Sequence, residues 1–283
     1  MGVGQQNKNV IFIIQARMNS SRLPGKILLP IPLGAGKPIL KWITDTLKKS
    51  KHFKKIYIAS SNSSSNDSLN IFCEKEEISL YRGSENDVLS RFLNIVTTEN
   101  SYSVIVRLTG DNPIIDILKL DEAISKHLDS NVDYTYTSGL PLGMNFEIIN
   151  SNILLSLKFE KLTLSEKEHV TLFIKNNNKF SKQQISFSNN LNTIRATIDY
   201  PNDFVFISSY LEFVLNSSET ISSDSIQNFV NSYPWISEVN AKSFQKKEFN
   251  SIYDEIKEVL PILEKLEFKY LVSFFKKYDF KKI

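Results

Sequence analysis

The chain has 283 residues, 41% of them hydrophobic and 11% aromatic, so it can build a sizeable core and is not a disordered segment. Its 34 basic and 31 acidic residues leave a net charge of +3, which excludes a strongly basic nucleic-acid binder. One cysteine, Cys73, excludes an intrachain disulfide and a cysteine-based metal site. No apolar run approaches the roughly 20 residues that span a bilayer, and residues 1–8 lack the apolar stretch of a secretory leader. The expectation is a soluble cytoplasmic protein with neither membrane nor nucleic acid as a partner.

The β-branched apolar run at 10–14 predicts a buried strand. Pro38 then opens a helical face of Ile39, Leu40, Ile43 and Leu47. A second strand at 55–60 leads into a polar loop at 60–66, a helix at 67–76 and a short strand at 78–81. Val88, Leu89, Phe92 and Val96 mark a further helix, before a third buried strand at 104–108. A helix at 117–128 and a strand at 132–137 follow. This alternation argues an α/β fold, a mostly parallel sheet with helices on both faces. Such sheets bind ligands beyond the carboxyl ends of their strands. After residue 138 the alternation loosens. Strands are expected at 144–149, 183–187 and 194–198. Helices are expected at 150–159, at 165–176 and from Pro201 to near Leu215. The stretch 224–283 reads as mainly helical, with Pro234 and Pro261 as breaks.

Three strand ends carry candidate chemistry. The turn after the first strand runs from Gln15 and Ala16 to Lys26 and holds Arg17, Arg22 and Lys26 among small polar residues. Guanidinium groups and close backbone N–H groups suit a triphosphate, the alternative from the residues alone being a solvated basic turn. The turn is not a Walker A loop, because its spacing is absent. After the third strand, Gly110-Asp111-Asn112-Pro113 places one carboxylate in a fixed bend, a setting that suits Mg²⁺ and equally an ordinary Asx turn. A second candidate metal carboxylate, Asp199, ends the run from Arg195. Asp203 lies in the first turn after Pro201, where its charge favours the helix dipole, and reads as structural.

These segments resemble the cytidylyltransferases that activate acidic sugars, in particular the spore-coat polysaccharide (SpsF-like) branch related to the acylneuraminate and KDO cytidylyltransferases. The pattern Gln-Ala-Arg-x-x-Ser-x-Arg-Leu-Pro-Gly-Lys is met at every fixed position from Gln15 to Lys26. The stretches Arg82 to Arg91, Val104 to Pro113, Glu168-His169-Val170-Thr171 and Arg195 to Asp203 resemble further family segments. The resemblance covers roughly 10–215. It implies a Rossmann-like, GT-A-like nucleotidyltransferase domain over 1–220 and leaves 221–283 as a helical C-terminal extension. It also implies a sugar-site or dimerisation insertion at 138–190, hence a homodimer.

The implied reaction transfers CMP from CTP to a sugar for a surface glycan, with Mg²⁺ and release of pyrophosphate. Arg17, Arg22 and Lys26 would act on the triphosphate. Ser60, Ser61, Arg82, Ser84 and Asp87 would surround cytosine and ribose. Gln15, Ala16, Gly110, Asn145 and Glu147 would complete the substrate site, and Asp111 and Asp199 would hold the metal. One departure stands out. Where the family usually shows Asp-Gly-x-Asp-x-Glu, this chain has Leu142, Gly143, Met144, Asn145, Phe146 and Glu147. Only Glu147 remains acidic, which points to a changed acceptor. Two other readings stay open from sequence: a GT-A-like glycosyltransferase, and a non-catalytic nucleotide-binding relative.

Overall fold

The computed structural model describes residues 9–34, 36–187, 191, 194–241, 243 and 251–277. They fall into two units, one ending at Ser243 and a smaller one beyond it. In the first unit, β1 (Val10–Gln15) is followed by a two-residue hairpin pair, β2 (Pro30–Ile31) and β3 (Lys37–Pro38), and by α1 (Ile39–Leu47). Next come β4 (Lys55–Ser61), α2 (Ser68–Glu76), β5 (Ser79–Gly83), α3 (Val88–Thr98), β6 (Val104–Thr109) and α4 (Ile117–Asp129). The chain continues through β7 (Tyr134–Ser138), β8 (Glu147–Asn150), α5 (Ser151–Ser156), α6 (Leu164–Glu168), α7 (Leu172–Asn176) and β9 (Lys182–Ser186). It ends with α8 (Pro201–Asn216) and α9 (Ser223–Ser232).

The seven-stranded sheet has the order β5-β4-β1-β6-β8-β7-β9. Strand β8 runs antiparallel to both its neighbours, and the remaining pairings are parallel. The sheet is thus mostly parallel, as expected. Strand β1 is apolar on both faces because both are covered. Val10, Phe12 and Ile14 join a core with α1, α2, α4, α8 and α9. Ile11 and Ile13 join a second core with α3, α5 and α7. From β1 the chain goes to β4 and β5 on one side, then enters β6 on the other. The order therefore reverses between β1 and β6, and the crevice beyond their carboxyl ends is where this architecture takes ligands.

Four local expectations are corrected. The run 194–198 forms no strand but a single bridge, Leu142 to Arg195, because its partner segment turns away at Gly143. For the same reason β8 starts only at Glu147 rather than at 144. The helix expected over 165–176 is broken into α6 and α7, with the fully buried Val170 at φ 52 between them. Pro261 lies inside α10 (Ile252–Lys265) of the second unit instead of ending it. Its missing N–H costs one intrahelical bond, and the helix continues around it. That unit is a helix pair, α10 and α11 (Lys269–Lys277), and none of its described helical residues is buried. Parts of the tail expected to be helical, 244–250 and 278–283, lie outside the described residues. Among the described residues, no helix is long and apolar enough to cross a membrane.

Candidate active site

The loop after β1 folds back on itself through a hydrogen bond from Gly25 N to Met18 O at 2.9 Å. Gly25 sits at φ 70, a conformation costly for residues with a Cβ, and it turns the chain into the short 3₁₀ helix Lys26–Leu28. That turn buries Lys26, which is only 7% exposed. Its ammonium donates to Ile198 O at 2.6 Å, Asp199 Oδ1 at 3.0 Å and Asp111 Oδ2 at 3.1 Å. All three donors of the group are thereby used. Sequence reasoning set Lys26 on the triphosphate. In the fold it joins the two candidate metal carboxylates, which come from the β6 end and from the segment before α8.

Arg22 reaches the same cluster. Its Nη2 lies 2.9 Å from Asp199 Oδ1, and its guanidinium stacks over the Tyr200 ring at 4.8 Å. Burial works against the Arg22 charge, but a bond to the Tyr200 hydroxyl and the Asp199 charge outweigh it and raise its proton affinity. Behind Asp199 stands Asp203, fully buried at the first turn of α8. It accepts from Arg195 Nε at 3.0 Å and Nη2 at 3.2 Å, and from Asp199 N and Tyr200 N at 3.0 Å each. Asn240 Nδ2 donates to it as well, at 3.1 Å. Asp203 therefore fixes the backbone that presents Asp199. Sequence reasoning missed Tyr200, Arg195 and Asn240 as parts of this assembly.

The donor set suits a hard divalent cation. Two carboxylates and a carbonyl already converge on one positive group, and all three ligating atoms are oxygen. Next in sequence to Asp111, Asn112 Oδ1 is buried against Gly143 without a hydrogen-bond partner. Among the described residues, no group of three or more His, Cys, Asp or Glu side chains is placed to hold a metal ion.

The second group of predicted residues lies along the ends of β4 and β5. Ser60 and Ser61 are buried, and Ser60 Oγ has no hydrogen-bond partner. Ser61 Oγ accepts from Asn66 Nδ2 at 2.7 Å, while Asn66 Oδ1 accepts from Met18 N at 2.7 Å. Asn66 thus ties this edge to the cationic loop; nothing distinguishes it in sequence from its polar neighbours. Arg82 spends its guanidinium on Ser61 O, Ser63 O and Asp67 Oδ1 at 3.1, 2.8 and 2.8 Å. Asp87 caps α3, accepting from Ser90 N at 2.8 Å. Arg17 and Ser84 are exposed. Cys73 is buried in α2, and burial pushes its thiol up to about 12, so it is inert.

On the other flank, Gly110 N donates to Gln15 O at 2.8 Å, closing β1 on β6 next to Ala16. Gln15 Oε1 accepts from Arg107 Nη2 at 3.0 Å. Arg107 Nη1 also pairs with Glu147 Oε2 at 2.5 Å. Glu147 Oε1 accepts from Tyr134 at 2.5 Å and from Thr171 at 2.9 Å. Glu147 is therefore engaged in holding β6, β8 and the Val170 turn together. Asn145 is exposed and loosely bonded to Thr137 and Leu140, at 3.3 Å each.

Burial pushes the Glu147 carboxyl up, but the Arg107 charge and the bonds from Tyr134, Arg107 and Thr171 outweigh it and hold it below its ordinary value. A carboxyl depressed in the folded state stabilises at pH above its unfolded pKa, and that stability is lost as pH falls through the folded one. Glu147→Gln is expected to cost about 1–3 kcal/mol at pH 7. In thermal melts from pH 7 to 3, the gap to wild type should start to narrow once the pH falls past the ordinary glutamate value of about 4.3. A gap that stays constant with pH would contradict this role.

With this geometry in view, comparison with known proteins is informative. The sequence profile of the cytidylyltransferase family matches residues 11–261. The spore coat polysaccharide biosynthesis protein SpsF of Bacillus subtilis is 40% identical over 173 residues, covering 59% of this chain and 70% of that one. The 8-amino-3,8-dideoxy-manno-octulosonate cytidylyltransferase of Shewanella baltica is 28% identical over 197 residues, covering 68% and 70%. A solved cytidylyltransferase structure from Leptospira borgpetersenii superposes with a TM-score of 0.75 at 28% identity, covering 85% of this chain and 100% of that one. The match spans the sheet, the cationic loop and both carboxylates, and the chain belongs to the cytidylyltransferase family and is a nucleotidyltransferase enzyme.

Proposed function

We propose that this enzyme transfers CMP from CTP to a hydroxyl of an acidic sugar and releases pyrophosphate, supplying an activated sugar for a surface polysaccharide. The observation that carries the reading is the convergence of Lys26, Arg22, Asp111 and Asp199 at the β1/β6 crevice. The substrate class follows the activity of the Shewanella relative, and the polysaccharide follows the role of the Bacillus one.

In this reading the acceptor oxygen attacks the α-phosphorus. The bond from that phosphorus to the oxygen bridging to the β-phosphorus breaks, pyrophosphate leaves, and the hydroxyl proton passes to solvent. Asp111 and Asp199 hold Mg²⁺, which supplies neutralisation of charge on the transferring phosphoryl group. Arg17, Arg22 and Lys26 bind and orient the triphosphate. Lys26 does so by exchanging a carboxylate oxygen for a phosphate oxygen. No protein nucleophile is needed, because positioning and charge neutralisation carry such transfers. Ser60, Ser61, Arg82, Ser84 and Asp87 line the nucleoside side, where the unpartnered Ser60 hydroxyl is free to bond a ligand. Gln15, Ala16 and Gly110 form the floor, and Asn145 and Glu147 flank the acceptor side. A homodimer formed through 138–190 belongs to the same reading.

The test is pyrophosphate release with Mg²⁺, each of the four nucleoside triphosphates, and a panel of acidic and neutral sugars and sugar phosphates. Release with CTP and a sugar acid is expected. Release confined to another triphosphate, or only with neutral sugar phosphates, would overturn the substrate assignment.

A further inference from the structure

We propose that Arg91 is a second guanidinium of the triphosphate site, standing behind Arg17 and binding the same phosphate chain. The inference rests on the nucleotide-binding reading above and adds a residue to it. Arg91 lies in the first turns of α3 and is only 3% exposed. A guanidinium has five N–H donors. Here one bond is made, from Nη1 to Ala59 O at 3.1 Å, and Nε is buried without a partner. Among the described residues no carboxylate stands within ion-pair distance of Arg91, although Glu85 and Asp87 contribute negative charge from the loop before α3.

Its place in the fold is specific. Ala59 O, the carbonyl that Arg91 holds, also accepts from Ala16 N at 3.2 Å. Arg91 is thus anchored at the root of the cationic loop, one residue from Arg17. Room for its stem comes from Gly83, where an added Cβ would stand 3.0 Å from Arg91 Cγ. Burial, and then the charge of Arg17, lower the proton affinity of Arg91. Arg91 is thus a desolvated guanidinium within electrostatic reach of a second one, that of Arg17. A buried cation without an anion is costly. An entering polyanion relieves that cost and gains bonds that are strong because they are charge-assisted. A chain of phosphates reaching from the loop toward β4 is such an anion, and a lone strut for Ala59 O would need no charge.

The experiment measures binding of inorganic tripolyphosphate, of CTP and of cytidine to the full chain by calorimetry, for wild type, Arg91→Met and Arg91→Lys. Arg91→Met is expected to bind tripolyphosphate and CTP about 10- to 100-fold more weakly and cytidine with unchanged affinity. Arg91→Lys, which keeps the charge, is expected to stay within about threefold of wild type. Unchanged tripolyphosphate binding in Arg91→Met would overturn the proposal. So would an equal loss for cytidine and tripolyphosphate, which marks a strut. If Arg91→Met does not fold, Arg91→Lys decides, since a loss of tenfold or more despite the retained charge would overturn the role. Failure of the wider reading looks different: wild type would then bind tripolyphosphate as tightly as CTP and show no binding of cytidine, while the Arg91 dependence persisted.

Discussion

Lys26→Met is expected to lower kcat by a factor on the order of 10²–10³, the range seen when one charge-stabilising donor is lost from a site. The substitution keeps the length and apolar stem of the side chain and removes only the ammonium. That ammonium is the link between Asp111, Asp199 and the Ile198 carbonyl. Without it two carboxylates face each other across the gap that it filled. Asp111 and Asp199 keep 30% and 17% of their side-chain surface, so water screens part of their repulsion. A loss of about 1–3 kcal/mol in stability follows from that discount. The distinguishing result is the response to metal. A divalent cation can replace the missing charge, so Mg²⁺ or Mn²⁺ without nucleotide should raise the melting temperature of Lys26→Met more than that of wild type. Activity should not return, because the group proposed to orient the triphosphate is gone. Turnover within threefold of wild type, or identical metal responses, would contradict this placement of Lys26.

Asp203→Asn is expected to be the more damaging change for stability. Asp203 is fully buried and binds Arg195 through two bonds, while also receiving the N–H groups of Asp199 and Tyr200 and the amide of Asn240. The asparagine retains the shape but turns one acceptor into a donor and leaves Arg195, itself 6% exposed, with only the Asp199 carboxylate 3.7 Å away as an anion. Breaking a buried pair in this way costs about 3–5 kcal/mol. For a unit of this size that is a fall in melting temperature of roughly 6–20 °C. Because Asp203 also sets the Asp199 backbone, metal-dependent binding of CTP should weaken with it. Adding Arg195→Met should recover part of the lost stability, since it removes a buried charge that has lost its two-bond partner. A melting temperature within about 2 °C of wild type would contradict the structural role.

How much of this was legible in sequence depended on how local the signal was. Strands β1, β4 and β6 are short apolar runs buried on both faces, and their pattern alone placed them. The cationic loop was visible because Arg17, Arg22 and Lys26 lie within ten residues. Its internal arrangement was not. Nothing local says that Lys26 folds inward to join carboxylates 85 and 173 positions away. The run 194–198 has strand-like residues but lacks a straight partner, and pairing is a tertiary property. The break at Val170 is similar. A buried β-branched residue at positive φ is held by its surroundings, here the bond from Thr171 to Glu147, against local preference. Glu147 itself read as a surviving acid of the acceptor site, yet its partners Arg107, Tyr134 and Thr171 come from three separate segments. Arg91 was visible as a motif residue, but its burial and its unused donors appear only in the fold.

The central claim is that this site directs attack to the α-phosphorus of CTP. The most direct measurement follows a phosphorus label through one turnover, with CTP labelled at the α or the γ position and the sugar acid that supports pyrophosphate release. The account predicts that the α label appears in a CMP-sugar and the γ label in pyrophosphate. Transfer of the γ label to the sugar, or a sugar product without either label, would contradict it.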